Sequence, residues 1–218
     1  MKRINFILIL IALSTSCQNE KKLNGTWIYA YSYNPESRLS SINKENPFHH
    51  IISFKNGIYK MKGFKYYWYN DEQEKPIRIK GHKLFLSEDN NHFEEINPFE
   101  KDSIVFVDKS KIRNRVYKKL ADSLKSETRK IELIGKKILR DHLGIKDTIK
   151  FINDSIYVSS SFKMGNSDLR WERINHNGFD ILFTDGNQPY LIKKKKANNI
   201  YVSIFDTEKK DLIFKLVD

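Results

Sequence analysis

The chain has 218 residues, 39 of them Lys or Arg and 27 Asp or Glu, for a formal net charge of +12. That length holds one large β domain or two small ones. The single cysteine, Cys17, excludes an intrachain disulfide framework, so the fold rests on an apolar core to which 11 Tyr and 14 Phe contribute. A positive balance of this size often marks a nucleic-acid binder. Here the lysines are spread along the chain rather than gathered in one motif, which suits attraction to an anionic membrane surface or an acidic polysaccharide better.

Residues 1–17 read MKRINFILILIALSTSC. Lys2 and Arg3 precede an apolar run from Ile4 to Leu13, broken only by Asn5; small residues Ser14-Thr15-Ser16 follow, then Cys17. A charged start, an apolar stretch of about 7–15 residues and a small-residue cut site describe a secretory signal. The run falls short of the roughly 18–20 apolar residues that span a bilayer. The arrangement resembles the lipobox of bacterial lipoproteins, with Ser14 where that family usually carries leucine. The resemblance implies a signal peptide over 1–16, lipid on the Cys17 sulfur and a lipidated tether over 17–22. Gln18 after the cysteine resembles outer-membrane lipoproteins rather than inner-membrane ones. The expected location is therefore the cell envelope, lipid-anchored at the outer membrane. One acyl chain binds reversibly and two or three anchor firmly, at about 0.8 kcal/mol per buried methylene.

Past the tether, Gly25-Thr26-Trp27 leads into Ile28-Tyr29-Ala30-Tyr31-Ser32-Tyr33, whose alternation reads as a strand. A polar loop with two prolines runs over 34–47. Short β-rich segments follow at 49–54 and 58–62, joined by the hairpin signal Lys55-Asn56-Gly57. Further segments are read at 64–69, 76–80 and 83–87, the last two flanking Gly81-His82. Segments at 92–96 and 103–108 flank Pro98, and 113–120 closes the first unit. Many short strands at close spacing indicate an antiparallel meander, as a barrel or sandwich. The polar stretch KKLADSLKSETRK over 118–130 and the helical spacing of Ile131, Ile134, Ile138, Leu139 and Leu143, with Gly144 as a cap, predict a helical linker over 121–143. Strands return over 144–218.

The second half echoes the first. Phe54 and Tyr59 match Phe151 and Tyr157, Phe64 matches Phe162, Ile104 matches Ile200, and Tyr117 matches Phe214, all at an offset of 96–98 residues. An internal repeat of about 100 residues follows. Gly25-x-Trp27 with a meander ending in Tyr117-Lys118-Lys119-Leu120 resembles the lipocalin-like lipoproteins common in Bacteroidetes-type bacteria. The likeness covers 23–120, and 147–217 more weakly. It implies that Trp27 closes a barrel floor and that a basic residue of the last strand, Lys118 or Arg115 by position, packs across it. The second copy has Gly135-Lys136-Lys137 where the motif belongs, without the tryptophan. The expected fold is mainly β: two related lipocalin-like halves, 23–120 and 144–218, joined by the helical segment.

Catalytic patterns are missing from the sequence. It has no glycine-rich phosphate loop, HExxH or GxSxG. His49-His50 and Glu94-Glu95 are neighbours that face opposite ways on a strand, which suits neither a metal site nor a carboxylate pair. Ser159-Ser160-Ser161 has no His and Asp at a useful spacing. Asp168, Arg170 and Glu172 read as a solvated strand face, and Lys193 to Lys196 as a charged edge strand or turn. In the aromatic stretch 64–69, alternation groups Phe64, Tyr66 and Trp68, and Tyr66 and Trp68 are the candidate ligand-binding residues. The expected function is non-catalytic: binding of a small apolar ligand or an envelope component, with no cofactor, metal or nucleic acid. The alternative is a protein-interaction lipoprotein, an assembly accessory or a toxin-immunity protein, and glycan contact is a further partner class.

Overall fold

Alternation sets the architecture. In GTWIYAYSY, Trp27 and Tyr29 fall on one side and Ile28 and Ala30 on the other, and all four are buried. A strand buried on both faces needs a core on each side, and the chain supplies two. The structure, a computed structural model, describes residues 22–35, 42–43, 50–66, 73–86, 93–100, 102–107, 113–125, 131–142, 144–162, 168–185 and 188–217. The leader with Cys17, the tether up to residue 21, and Trp68 lie outside the described residues. No helix among the described residues is long and apolar enough to cross a membrane.

The first unit contains β1 (Gly25–Tyr33), β2 (Ile42–Asn43), β3 (His50–Lys55), β4 (Ile58–Gly63), β5 (Gln73–Pro76), β6 (Arg78–Lys80), β7 (Lys83–Phe85), β8 (Phe93–Glu100), β9 (Ser103–Val107) and β10 (Asn114–Leu120). They form one antiparallel sheet in the order β5-β4-β3-β1-β10-β9-β8-β7-β6, with β2 beside β1. The two ends of that path, β5 and β6, are successive along the chain with only Ile77 between them. One bent stretch thus pairs first with β4 and then with β7, and the sheet wraps into a barrel. The second unit contains β11 (Lys137–His142), β12 (Ile145–Phe151), β13 (Ile156–Ser159), β14 (Leu169–His176), β15 (Phe179–Thr184), β16 (Tyr190–Lys196), β17 (Asn199–Phe205) and β18 (Lys209–Val217). These eight strands form a closed antiparallel barrel in chain order.

The two units follow the same course. Phe54 pairs with Tyr59 as Phe151 pairs with Tyr157, and Ile104 with Tyr117 as Ile200 with Phe214. Two backbone hydrogen bonds outside the ladders recur as well. Ile77 N donates to Gly57 O (2.7 Å) where Trp171 N donates to Ser155 O (3.0 Å). Lys119 N donates to Asp102 O (2.9 Å) where Leu216 N donates to Asn198 O (2.7 Å). The chain is mainly β, built from two lipocalin-like, repeat-like halves.

Several sequence expectations are corrected. Among the described residues of the expected helical linker there is no α-helix: Asp122–Leu124 is a single 3-10 turn, Ile134 makes an isolated bridge to Phe151, and β11 begins at Lys137; residues 126–130 and 143 lie outside the described residues. The second unit therefore starts before residue 144. The apparent helical spacing mixed two surfaces, since Ile131, Leu133 and Ile138 enter the barrel core while Ile134 and Leu139 are exposed. Pro98 lies within β8, where pairing with β9 shifts register between Asn97 and Glu100, a bulge being where a strand tolerates a residue without an amide hydrogen. Strand β4 ends at Gly63, so the alternation over 64–69 does not extend a strand through Tyr66. Lys193 to Lys196 belong to β16, inside a barrel that has no edge.

Three clusters hold the molecule together. Trp27, Tyr29, Ile52, Phe54, Ile104 and Tyr117 are among those filling the first barrel. Ile138, Phe151, Trp171, Leu182, Ile192 and Phe214 are among the buried residues filling the second, as suits an eight-stranded barrel just wide enough for side chains. The third lies between the barrels. Ile28, Ala30, Ile51, Phe64 and Leu120 meet Phe179, Ile181, Phe183, Leu191 and Phe205. Phe64 stacks on Phe183 at 5.7 Å, Gln188 donates to Ala30 O (2.6 Å), and His176 Nε2 lies 3.2 Å from Ser53 Oγ.

Candidate functional site

The floor of the first barrel comes from Gly25 and Trp27. Trp27 is opposite Ile52 on one side and Lys119 on the other, and its indole N–H donates to Leu23 O (2.8 Å). The Lys119 ammonium lies 5.2 Å from the ring centroid, a cation–π contact. Lys119, rather than Lys118 or Arg115, is the basic residue across the tryptophan. Lys118 faces the other side of β10, and Arg115 shares the inner face but sits nearer the far end. Gly25, at φ 131°, leaves room for the lysine stem, since a Cβ there would meet Lys119 Cε at 2.8 Å. In the second barrel Ile138 takes the position of Trp27, opposite Ile149 and Leu216. The floor there is tied by Arg173, which grips Asp180 through two bonds of 2.7 and 2.6 Å and donates to Ile131 O (2.8 Å).

Above each apolar core, toward the opposite mouth, sits a polar layer at matching positions. In the second barrel it is Arg140, Asp147 and Tyr190. Arg140 Nε and Nη2 both donate to Asp147 Oδ2 (3.0 and 2.7 Å), and Nη1 donates to Tyr190 Oη (2.6 Å). Asp147 Oδ1 accepts from Ser159 Oγ, Ser160 N, Ser160 Oγ and Ser161 N at 2.9–3.1 Å. Burial works to raise the Asp147 pKa, but the bonds from Arg140, Ser159 and Ser160 outweigh it and hold the carboxyl at about 2. Burial pushes the Tyr190 phenol up to about 12 against the opposing pull of Arg140. The pair side chains are 4% and 2% exposed. This layer is sealed.

The equivalent positions in the first barrel are Tyr29, His50 and Glu94, joined by Arg115. Arg115 Nη2 contacts Glu94 Oε2 at 3.3 Å, and these side chains are 29% and 38% exposed. Burial raises the pKa of Tyr59 and lifts that of Tyr117 to about 12, with Arg115 opposing both. On the outer face of β10, Asn114 Nδ2 donates to Tyr33 Oη (3.2 Å), while inside the barrel partly buried Met61 and Leu86 pack against the core from the mouth end. The same layer is half open here, with one stretched ion pair above three buried tyrosines.

Of the two sequence candidates for ligand binding, Trp68 lies outside the described residues and Tyr66 falls elsewhere. Tyr66, 37% exposed, lies at the seam between the barrels. Its ring packs edge-on against Phe64 (5.3 Å), with Lys65 Nζ at 4.9 Å and Arg170 at 5.5 Å. Glu172 accepts from Lys65 N (2.8 Å), so Arg170 and Glu172 face the first barrel rather than open solvent. Glu94 and Glu95 do face apart, and Glu94 is the one that meets Arg115. Among the described residues no group of three or more His, Cys, Asp or Glu is placed to hold a metal ion. A cleft of about 720 Å³ opens beside the first floor, between Gly25, Lys119 and Asp122 on one side and Phe205, Thr207 and Lys209 on the other. Its walls carry both charge signs. Sequence reading missed the Arg140–Asp147 pair. Its signal was present: opposite charges on the apolar stripes of two strands joined by a short turn, followed by a serine triplet.

No family model matches the chain, and no curated protein matches it.

Proposed function

We propose that the protein is a lipid-anchored lipoprotein of the cell envelope, held at the outer membrane through Cys17, that binds a small, largely apolar ligand or envelope component without catalysis. The mouth of the first barrel is the binding site. The observation that carries this reading is the contrast between the two polar layers. At matching positions the second barrel locks Arg140, Asp147 and Tyr190 together below the surface. The first leaves Glu94 and Arg115 half exposed over an aromatic interior. An apolar lining with a few convergent polar groups is what small-molecule sites use. The ligand's hydrocarbon part meets Tyr117, Met61 and Leu86, and its polar end meets Arg115. Protein purified from its own membranes and extracted with organic solvent should release a bound amphiphile. Arg115→Ala should release several-fold less, with its melting temperature within a few degrees of the parent. An empty extract from both sinks the ligand reading, and unchanged membrane fractionation and normal processing of Cys17→Ser sinks the anchor. The half-exposed Tyr66 between two cations favours a second reading, a protein-interaction lipoprotein, since such aromatics serve as interface anchors.

A further inference from the structure

Among the described residues, five of the six large apolar side chains that stay exposed belong to the second unit: Ile134, Leu139, Ile152, Val158 and Ile213. Three of them, Leu139 (42% exposed), Val158 (49%) and Ile213 (52%), project from β11, β13 and β18. The contact with the first barrel is made chiefly by β15, β16 and β17. In an eight-strand ring the antipodes of β15 and β16 are β11 and β12, so this face points away from the first barrel. It is also basic. Lys137 stands directly opposite Lys150, Leu139 opposite Lys215, and Val158 opposite Lys150, and all three lysines are exposed. On the strands themselves the outward carboxylates, Asp141 and Asp211, lie toward the mouth end; Asp141 is opposite Lys146 and Asp211 is engaged by Lys193 (2.8 Å). The exposed Glu132 and Asp154 lie in the segments that precede β11 and β13, beside Ile134 and Ile152 rather than beside Leu139, Val158 and Ile213.

Like charges directly opposite on neighbouring strands destabilise a sheet, and exposed aliphatic groups gain nothing from water. Neither feature helps this barrel fold. Both favour contact with a surface that is anionic outside and apolar beneath. Lysine stems can lie along apolar surface while their ammonium groups stay at the level of phosphates, and aliphatic groups between them reach the acyl boundary. We propose that this face of the second barrel docks on an anionic phospholipid surface. The proposal stands on the chemistry of the face and does not rest on the ligand reading of the first barrel or on the anchor at Cys17. With the anchor, docking becomes intramolecular and modest affinity suffices.

The test uses residues 18–218, which keep both barrels and carry no signal peptide. Co-sedimentation is measured with phosphatidylcholine vesicles, with and without about 30 mol % phosphatidylglycerol, the anionic fraction supplying the field that attracts lysine. The protein should sediment with the anionic vesicles only and be released by salt. Lys137→Glu/Lys150→Glu should lower partitioning at least about tenfold. Leu139→Ser/Ile213→Ser should lower it several-fold, with the parent's melting temperature kept in both variants. Equal partitioning of parent and variants overturns the proposal. So does a concentration-dependent dimer abolished by Ile213→Ser, which assigns the face to a second copy. Tighter retention on an acidic polysaccharide, indifferent to the serine substitutions, overturns it in favour of a glycan.

Discussion

The Lys119 stem occupies the space that a side chain at residue 25 would need, so glycine, lysine and tryptophan at this floor form one unit. Gly25→Ala meets both a clash with Lys119 Cε and a backbone conformation that costs about 1–3 kcal/mol for other residues. Adding Lys119→Ala should relieve the clash and leave the backbone strain, so the double variant melts higher than the sum of the single losses predicts. Trp27→Ala removes a fully buried ring at a cost of about 3–5 kcal/mol, which at roughly 2–4 °C per kcal/mol for a chain of this size lowers the melting temperature by on the order of 10 °C. A loss of only a degree or two would remove Trp27 from the floor. Asp147 sets an acid limit. Its folded pKa of about 2 lies below the ordinary carboxylate value, so its contribution is complete above about pH 4 and fades as pH falls toward 2, on the order of 2 kcal/mol in all. Asp147→Asn should flatten the decline of melting temperature over that acid range. A slope equal to the parent's would show that the carboxylate is not the responsible group.

The strands were legible because their alternation is local. Residues 50–55, 58–63 and 114–120 match their expected bounds within one residue, while β1 takes in Gly25-Thr26-Trp27 as well as the expected Ile28–Tyr33; the offset between halves anticipated the matching pairs Phe54–Tyr59 and Phe151–Tyr157. What the sequence hid depends on partners far along the chain. Pro98 reads as a break, yet the register shift between β8 and β9 absorbs it. The lysines of β16 read as an edge, but closure of the ring by β11 and β18 leaves none. Instead Lys193 pairs with Asp211 and Lys194 lies 4.9 Å from the Tyr201 ring centroid. At the candidate site Glu94 was visible as a residue, but its partnership with Arg115 spans two strands and no local pattern encodes it. The serine triplet exists to hold Asp147, a partner on the neighbouring strand that no pattern within the triplet encodes.

The apolar contact between the barrels makes the molecule behave as one body. Ile28, Ile51, Phe64 and Leu120 are at most 3% exposed and share one cluster with residues of the second barrel, so residues 23–120 alone should present a contiguous apolar face to water. The intact protein should melt in a single calorimetric transition. Phe183→Asp, which buries a charge against Phe64, should split that transition in two or lower it by several degrees. An unchanged single transition in that variant would mean that the barrels are not coupled through this cluster.

Each barrel is closed by pairing its first strand with its last, β1 with β10 and β11 with β18. That circuit governs the order in which the chain can fold as it is made. Strand β1 has one neighbour available once β3 exists, but its other edge waits for residues 114–120. The outer side of the same strand waits longer, until residues 179–205 arrive to cover Ile28 and Ala30. A growing chain must therefore carry an unpaired edge, and then an uncovered apolar face, through most of its synthesis. Long-range pairings of this kind are slow and expose aggregation-prone surface. The period of greatest risk for this protein falls between the completion of β10 and the emergence of β17, when one barrel is finished and still has nothing to lean on.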